Sequence, residues 1–246
     1  MKKIKEVWFR INNKRKLNPL FTPDHYKSLL LQWKERYGFI NFHDKGPGII
    51  LRHDIDADLG KAVRMAEIEA GRDANINRAM FCHGNTPLAK STYFVLNTAR
   101  YWKSKEMIPS LRYIQRLGHE IGWKNNAAVE CAMTGKKLEL CIREPLEYLR
   151  SHGITIRGTA AHGDKLCYKL GLMNYNIFCF PSPGWDFWGN LRTFTLEEFG
   201  LEYEAYHVPY DDYLIDCHSG QEEAGIKHWE SGGRYQIVIY PQNWKI

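Results

Sequence analysis

The chain has 246 residues and a mass of 28.8 kDa, and its hydrophobic content of 44% supports one substantial core, so we expect a single domain over residues 1–246. The formal net charge of +6 is concentrated near the start with few aromatic residues between the charges, which predicts a solvated basic extension over about residues 1–20 and no nucleic-acid partner. The sequence has no apolar run that suits a signal peptide or a membrane span, and its six cysteines form no C-x-x-C pair, so we expect a cytoplasmic protein without a zinc knuckle or a disulfide framework.

The predicted elements alternate between helices and strands. Thr22-Pro23 marks the start of a helix that runs to about Tyr37, and a second helix is predicted from about Asp58 to Gly71. Strands are predicted at 49–53, 92–96, 119–123, 154–156 and 236–240, and further helices begin at Ser104, with Ile108, Leu111, Ile114 and Leu117 inward, and at about Lys137. This order favours parallel βαβ units and an α/β fold of the distorted (β/α) barrel type. The alternative is an open doubly wound sheet, which is disfavoured because no glycine-rich phosphate fingerprint follows a strand.

The segment LRHDIDAD at 51–58 is the strongest indication of a functional site. It places Asp54, Asp56 and Asp58 on alternate residues directly after an apolar strand. Carboxylates at the carboxyl end of a strand lie where α/β folds build their active sites. Asp58 is equally well suited to cap the helix that follows. Strand alternation should turn His53 away from Asp54, which favours a structural role for that histidine.

Six segments of the chain occur in an order that is typical of one known family. They are Arg52–Asp56, Met65–Glu69, Thr92–Asn97, Gly118–Trp123, Gly158–Gly163 and Ile237–Pro241. In this order they resemble the NodB-like polysaccharide deacetylases over roughly residues 48–244. The resemblance implies a distorted (β/α)7 barrel that holds a divalent metal, often zinc, and hydrolyses the N-acetyl group of an amino sugar. On this template Asp54 corresponds to the general base and Asp56 to a metal ligand.

Two segments depart from the family pattern where the chemistry is expected. After Trp123 the family has His-Asn-Asp, whereas this chain has Lys124 and, two residues later, Asn126. A lysine at neutral pH is a cation without a lone pair, and an asparagine is a weaker oxygen donor, so both replacements count against zinc as a cofactor. Tyr240 stands where the family has a histidine, and a phenol with a pKa of about 10 is a poorer general acid.

Lys124 offers a physical account of these replacements. Without a metal, Asp54 and Asp56 would face each other unscreened, and a protonated lysine could pair with both carboxylates. The site would then be remodelled for a different use. The alternative is a simple loss of function in which Lys124 points away from the site.

Three more polar residues are candidates for the site. His162 follows a predicted strand and is flanked by small residues, so we expect it in the mouth of the barrel, although a buried structural histidine is the alternative. Asp216 matches in order the acidic residue that orients catalytic partners in the resembled family, and a loop-capping aspartate is the alternative. His83 could supply a replacement ligand, but a lone loop histidine is more often structural.

The segment 175–188 is unusually rich in aromatic residues. Aromatic faces beside polar groups suit the C–H faces of sugar rings, so we expect Trp185 and Trp188, together with Trp123 and Asn126, to contact the substrate. A hydrophobic lid or an interface with another subunit is the alternative, and an oligomer is left open.

The sequence thus predicts a cytoplasmic carbohydrate-modifying enzyme, an amide hydrolase of the deacetylase type. Its substrate would be an N-acylated sugar, a sugar nucleotide or a surface-glycan precursor. The predicted catalytic residues are Asp54, Lys124, His162, Asp216 and Tyr240. One alternative is a homologue that binds a saccharide or a protein without hydrolysis and has lost the metal site. Another is a metal-independent sugar-modifying enzyme that uses Lys124 and Tyr240 as acid–base groups.

Overall fold

The computed structural model describes residues 22–72, 87–170, 173–178, 194–216 and 228–246. The strands in these ranges are β1 (Phe39–Ile40), β2 (Gly48–Ile55), β3 (Thr92–Leu96), β4 (Glu120–Asn125), β5 (Ile156–Ala161), β6 (Tyr203–Glu204), β7 (Asp212–Ile215) and β8 (Arg234–Ile239). The α-helices are α1 (Pro23–Arg36), α2 (Leu59–Glu69), α3 (Met107–Arg116), α4 (Ala127–Thr134), α5 (Leu138–Ser151) and α6 (Lys165–Leu170). Short 3₁₀ turns follow at Asn174–Phe178, Glu197–Phe199 and Pro241–Asn243.

The strands form one parallel sheet that curls into a half-barrel. Its order is β6-β5-β4-β3-β2-β8-β7, and β1 pairs with β2 beside this path. The curl brings the turn after β6 across to β8, where the Gln236 side-chain amide donates to the Ala205 carbonyl at 3.1 Å. A barrel-like α/β architecture, the first choice from the sequence, is therefore confirmed.

The concave side of the sheet is filled by aromatic rings that lie on glycine. Phe42 stacks on Tyr203 with ring centroids 4.7 Å apart. A Cβ atom at Gly122 would lie 2.4 Å from the Phe94 ring, and one at Gly158 would lie 2.0 Å from the Tyr203 ring. Because these positions carry no side chain, the rings pack directly against the sheet backbone. The interior is therefore closely packed, and polar groups gather at the carboxyl ends of the strands.

The helices cover the convex side and bury the larger apolar core. Thr22 caps α1 through its hydroxyl and Asp58 caps α2 through its carboxylate, as the sequence predicts. Leu111 and Ile114 of α3 are fully buried, but the helix begins at Met107 and not at Ser104. No helix in the described ranges is long and apolar enough to cross a bilayer.

The strand expected at 154–156 is longer and lies further along the chain. It runs from Ile156 to Ala161 and consists mainly of small residues after Arg157. These small residues are buried against the packed rings or under the helices. Most of them are not β-branched or aromatic, so the sequence does not show the pattern that marks a strand.

A buried carboxylate joins α2 to the convex side of the sheet. Glu69 accepts hydrogen bonds from Tyr26, Ser91 and Tyr93 and pairs with His53 at 2.6 Å. Burial by itself would raise the pKa of Glu69, but His53, His119 and the Ser91 hydroxyl lower it to about 2. His53 lies on the opposite face of β2 from Asp54, as strand alternation predicts, and contacts Glu69 there.

Candidate functional site

The predicted polar residues meet at the carboxyl ends of neighbouring parallel strands. Asp54 lies near the end of β2 and Asp56 follows this strand. Lys124 lies near the end of β4, His162 follows β5 and Tyr240 follows β8. Lys124 Nζ lies 5.0 Å from the Tyr240 ring centroid. We call these five residues the mouth.

Asp54 is held from two sides by cations. Arg52 donates through Nε to Asp54 Oδ1 at 2.7 Å and through Nη2 to Oδ2 at 2.9 Å, and Lys124 Nζ lies 2.9 Å from Oδ2. Burial alone would raise the pKa of Asp54, but the charges of Arg52 and Lys124 hold it well below its usual range. Asp54 is therefore ionised at neutral pH, and because three N–H donors already engage its oxygens it is a weak base.

Lys124 bridges the two carboxylates of the acidic motif. Its ammonium group pairs with Asp54 and also contacts Asp56 Oδ1, while its side chain is only 2% exposed. Burial would lower the pKa of Lys124, but the two carboxylates raise it above its ordinary value. The lysine is therefore protonated at neutral pH. The ion pair predicted from the sequence is present, and the alternative in which Lys124 points away from the site is wrong.

The groups at this position do not fit a divalent metal. The Lys124 ammonium lies between Asp54 and Asp56 and contacts Asp56, the carboxylate that the resemblance implies as a metal ligand. At an effective dielectric near 20 its charge would repel a cation by roughly several kcal/mol. The Asn126 amide, at the second replaced position, is used in hydrogen bonds to Asp164 at 3.0 Å and from Asn174 at 2.9 Å. Within the described part of the chain, no group of three or more histidine, cysteine or acidic side chains could hold a metal.

Asn125, Asn126 and Asn174 fix the loops that follow β4 and β5. Asn125 Oδ1 accepts from the Ala127 amide at 2.8 Å, and Asn174 Oδ1 accepts from the Ala128 amide at 3.0 Å. Asn174 also donates to the His162 carbonyl at 2.8 Å. The start of α4 and the backbone of His162 are thereby held in one network.

His162 has the properties of a base. Its Nδ1 atom is buried and has no hydrogen-bond partner among the described residues. Burial and the nearby charge of Lys124 lower the pKa of His162, although Asp56 and Asp164 oppose this effect. The imidazole is therefore neutral at pH 7 and carries a lone pair that can accept a proton.

Asp216 is not one of the mouth residues, but it binds the backbone of Tyr240 and so positions this residue. Asp216 Oδ2 accepts from the Tyr240 backbone amide at 2.9 Å and from the Trp244 indole at 2.7 Å, and Oδ1 accepts from Asn243 at 3.3 Å. These contacts support the loop-capping alternative for Asp216. Burial and the charge of Asp54 raise the pKa of Tyr240 well above its usual value, so its phenol stays protonated and can donate a hydrogen bond.

The predicted substrate contacts of Trp123 and Asn126 are not supported. Side chains alternate along β4, so Lys124 faces the mouth and Trp123 faces the helices, where it is fully buried and donates to Asn97 at 3.2 Å. Asn126 is buried and engaged in the asparagine network. Trp185, Trp188 and His83 lie outside the described residues, so their assignments stay predictions.

Three residues that the sequence did not single out belong to the surroundings of the mouth. Arg52 pairs with Asp54, as described above. Glu204, at the end of β6, accepts from the backbone amides of Ala161 at 2.9 Å and Tyr206 at 2.8 Å. Burial raises the pKa of Glu204 to about 7, and the charge of Arg52 limits that rise. Tyr206 lies against Arg52, and its hydroxyl accepts from Nη2 at 3.3 Å.

Neither a family model, nor a curated protein, nor a solved structure matches this chain. The NodB-like resemblance therefore rests on the ordered motifs of the sequence and stays a hypothesis. The coordinates themselves define an α/β half-barrel that carries a buried cluster of two cations and two carboxylates at the carboxyl ends of its strands.

Proposed function

We propose that this chain is a carbohydrate-modifying enzyme of the NodB-like (β/α)7 type that hydrolyses an N-acylated sugar, sugar nucleotide or glycan precursor with an ammonium ion in place of a metal. The observation that carries the proposal is the position of Lys124 between Asp54 and Asp56. A fixed positive charge in a buried site stabilises negative charge that develops on an acyl oxygen. An ammonium has three N–H donors, and the two carboxylates account for two of them, which leaves one for a substrate.

His162 is the water-activating base of this proposal. As a water oxygen attacks the acyl carbon, His162 takes one of its protons, and the carbonyl electrons move to the oxygen that Lys124 faces. The C–N bond then breaks, the imidazolium returns its proton to the leaving nitrogen, and the products are a carboxylic acid and a free amine. This assignment is supported by the lowered pKa of His162, which keeps its imidazole neutral, and by the electrostatic interaction of His162 with Lys124, Asp56 and Asp54.

The remaining residues of the mouth orient these groups. Asp54, which the resemblance suggests as the base, is engaged by Arg52 and Lys124, so in this proposal it positions the ammonium group. Asp56 is the more exposed carboxylate of the pair, with 23% of its side chain accessible, and lies where a substrate approaches. Tyr240 supplies a neutral hydrogen-bond donor.

Acetate release from a panel of N-acetylglucosamine, its uridine-diphosphate derivative and the N-acetylated trisaccharide tests the proposal. The wild type should release acetate in the presence of EDTA, and Lys124→Met should reduce the rate at least a hundredfold. Lys105→Met is the matched control because this lysine side chain is 93% exposed and pairs with the exposed Glu106. Release that requires added zinc, or no release from any member of the panel, would contradict the proposal.

A saccharide-binding protein without hydrolytic activity is the second candidate. The resemblance assigns Asp54 as the base, but its carboxylate already makes three short polar contacts. This favours a protein that binds a saccharide without hydrolysing it. In that case the wild type would bind a member of the panel and release no acetate, and Lys124→Met would alter binding alone.

A further inference from the structure

Just after β6, the exposed aromatic ring of Tyr206 lies against Arg52, which belongs to the charged cluster of Arg52, Asp54, Lys124 and Asp56. Tyr206 is 42% exposed although its hydroxyl and ring are both engaged by Arg52. The Arg52 guanidinium carbon lies 4.6 Å from the Tyr206 ring centroid and 5.3 Å from that of the buried Phe94. The guanidinium therefore contacts one buried ring and one ring that reaches solvent.

Contacts with buried residues restrain Tyr206 at its backbone and at its hydroxyl. Its backbone amide donates to Glu204 at 2.8 Å, and its hydroxyl accepts from Arg52, which is itself fully buried. A ring held at both ends loses little conformational entropy when a ligand stacks on it. An exposed but immobilised aromatic ring is therefore better suited to binding than a freely rotating surface tyrosine.

A short chain of contacts connects the Tyr206 ring to Lys124. Tyr206 contacts Arg52, Arg52 contacts Asp54, and Asp54 contacts Lys124, with distances of 3.3, 2.9 and 2.9 Å. Tyr206 is thus linked to Lys124 through two buried side chains, Arg52 and Asp54.

We propose that Tyr206 forms a saccharide subsite in which a pyranose ring stacks on its exposed aromatic face beside the Lys124 cluster. The apolar C–H face of a pyranose matches an aromatic ring, and its hydroxyl groups match the polar groups around Tyr206. The subsite rests on the proposed function, because it places the sugar whose acyl group the mouth would hydrolyse. It also names the substrate class as a saccharide with at least one intact pyranose ring.

The experiment measures binding and turnover of the N-acetylated trisaccharide by wild type, Tyr206→Ala, Tyr206→Phe and Tyr168→Ala. Tyr206→Ala should raise the dissociation constant and KM at least tenfold and should change kcat by a smaller factor. Tyr206→Phe keeps the ring and should stay within about threefold of wild type. Tyr168 is a tyrosine of similar exposure, 44%, on α6, so its removal should have no effect.

Each outcome decides between the two proposals. If wild type and Tyr206→Ala bind the trisaccharide equally while acetate is released, the subsite is wrong and the proposed function stands. If Tyr206→Ala lowers kcat and leaves KM and binding unchanged, the residue only supports Arg52, and the subsite is again wrong. If the wild type neither binds nor hydrolyses any member of the panel, both proposals fail. Contact between pyranose protons and aromatic protons in saturation-transfer NMR, lost in Tyr206→Ala, would support the subsite directly.

Discussion

Arg52 and Asp54 lie two residues apart on the concave face of β2 and form a bidentate ion pair with N–O distances of 2.7 and 2.9 Å. Both side chains are fully buried. A buried ion pair of this kind fixes geometry, and removal of one partner leaves an uncompensated charge.

Replacement of Arg52 should therefore destabilise the protein strongly. Arg52→Met leaves one cation, Lys124, for the two carboxylates Asp54 and Asp56, so one negative charge is uncompensated, and we expect a loss of about 3 to 5 kcal/mol in the free energy of unfolding. Urea unfolding measures this loss. Arg143→Met removes an exposed ion pair with Glu139 and should cost less than about 1 kcal/mol. Equal effects of the two substitutions would show that the buried pair carries no special stabilisation.

Replacement of Lys124 by histidine should create a zinc site. The change removes the charge that repels a cation and places an imidazole next to Asp54 and Asp56. Titration calorimetry should show zinc binding by Lys124→His and none by the wild type at micromolar concentrations. Lys124→Met removes the charge without adding a ligand and is the matched control. Tight binding of zinc by the wild type would refute the view that the ammonium replaces the metal.

Glu69 should make stability depend on pH in the acid range. Its pKa of about 2 lies below the ordinary value of 4.5, so its stabilising contribution is complete above about pH 4.5 and is lost as pH falls toward 2. Relative to Glu69→Gln, the wild type should lose roughly 3 kcal/mol of stability between pH 5 and pH 2. Chemical unfolding at several pH values tests this, with the exposed Glu139→Gln as control. If the difference in unfolding free energy between wild type and Glu69→Gln does not change with pH, the lowered pKa of Glu69 is wrong.

Glu204 should make the free energy of unfolding decrease as pH rises from acid to neutral, the opposite of the effect of Glu69. Its pKa of about 7 lies above the ordinary value of 4.5, so its contribution is complete below about pH 4.5 and is lost as pH rises through 7. Relative to Glu204→Gln, the wild type should lose roughly 3 kcal/mol between pH 4.5 and pH 8. The constant cost of replacing one carboxylate oxygen by an amide nitrogen cancels in this comparison. A wild type that gains stability relative to the variant over this interval would show that Glu204 is ionised in the folded protein.

The elements with a clear local pattern could be predicted from the sequence. The strand at Thr92–Leu96 has the predicted bounds, because a compact run of β-branched and aromatic residues marks it. The caps at Thr22 and Asp58 follow from residue type and position. The pairing of Lys124 with the two carboxylates was one of two alternatives, since the resemblance placed the lysine near the acidic motif and its charge favoured the pair.

Other parts of the site depend on contacts between distant residues. Glu204 lies on a strand of two residues, and its raised pKa comes from burial that no local pattern reveals. The orientation of Trp123 follows from a local rule, because Lys124 and Trp123 are neighbours in one strand and face opposite sides. Arg52 could have been found by the same rule, since it lies two residues before Asp54 on the same face.

The four charged groups at the strand ends alternate in sign from Arg52 through Asp54 and Lys124 to Asp56. Their formal sum is zero, so the cluster exerts a strong field at contact distance and a weak one farther away. An incoming molecule thus gains little from long-range attraction, whatever its own charge. Affinity at this end of the sheet must come from shape and from hydrogen bonds, and dissolved salt has little net charge to screen there.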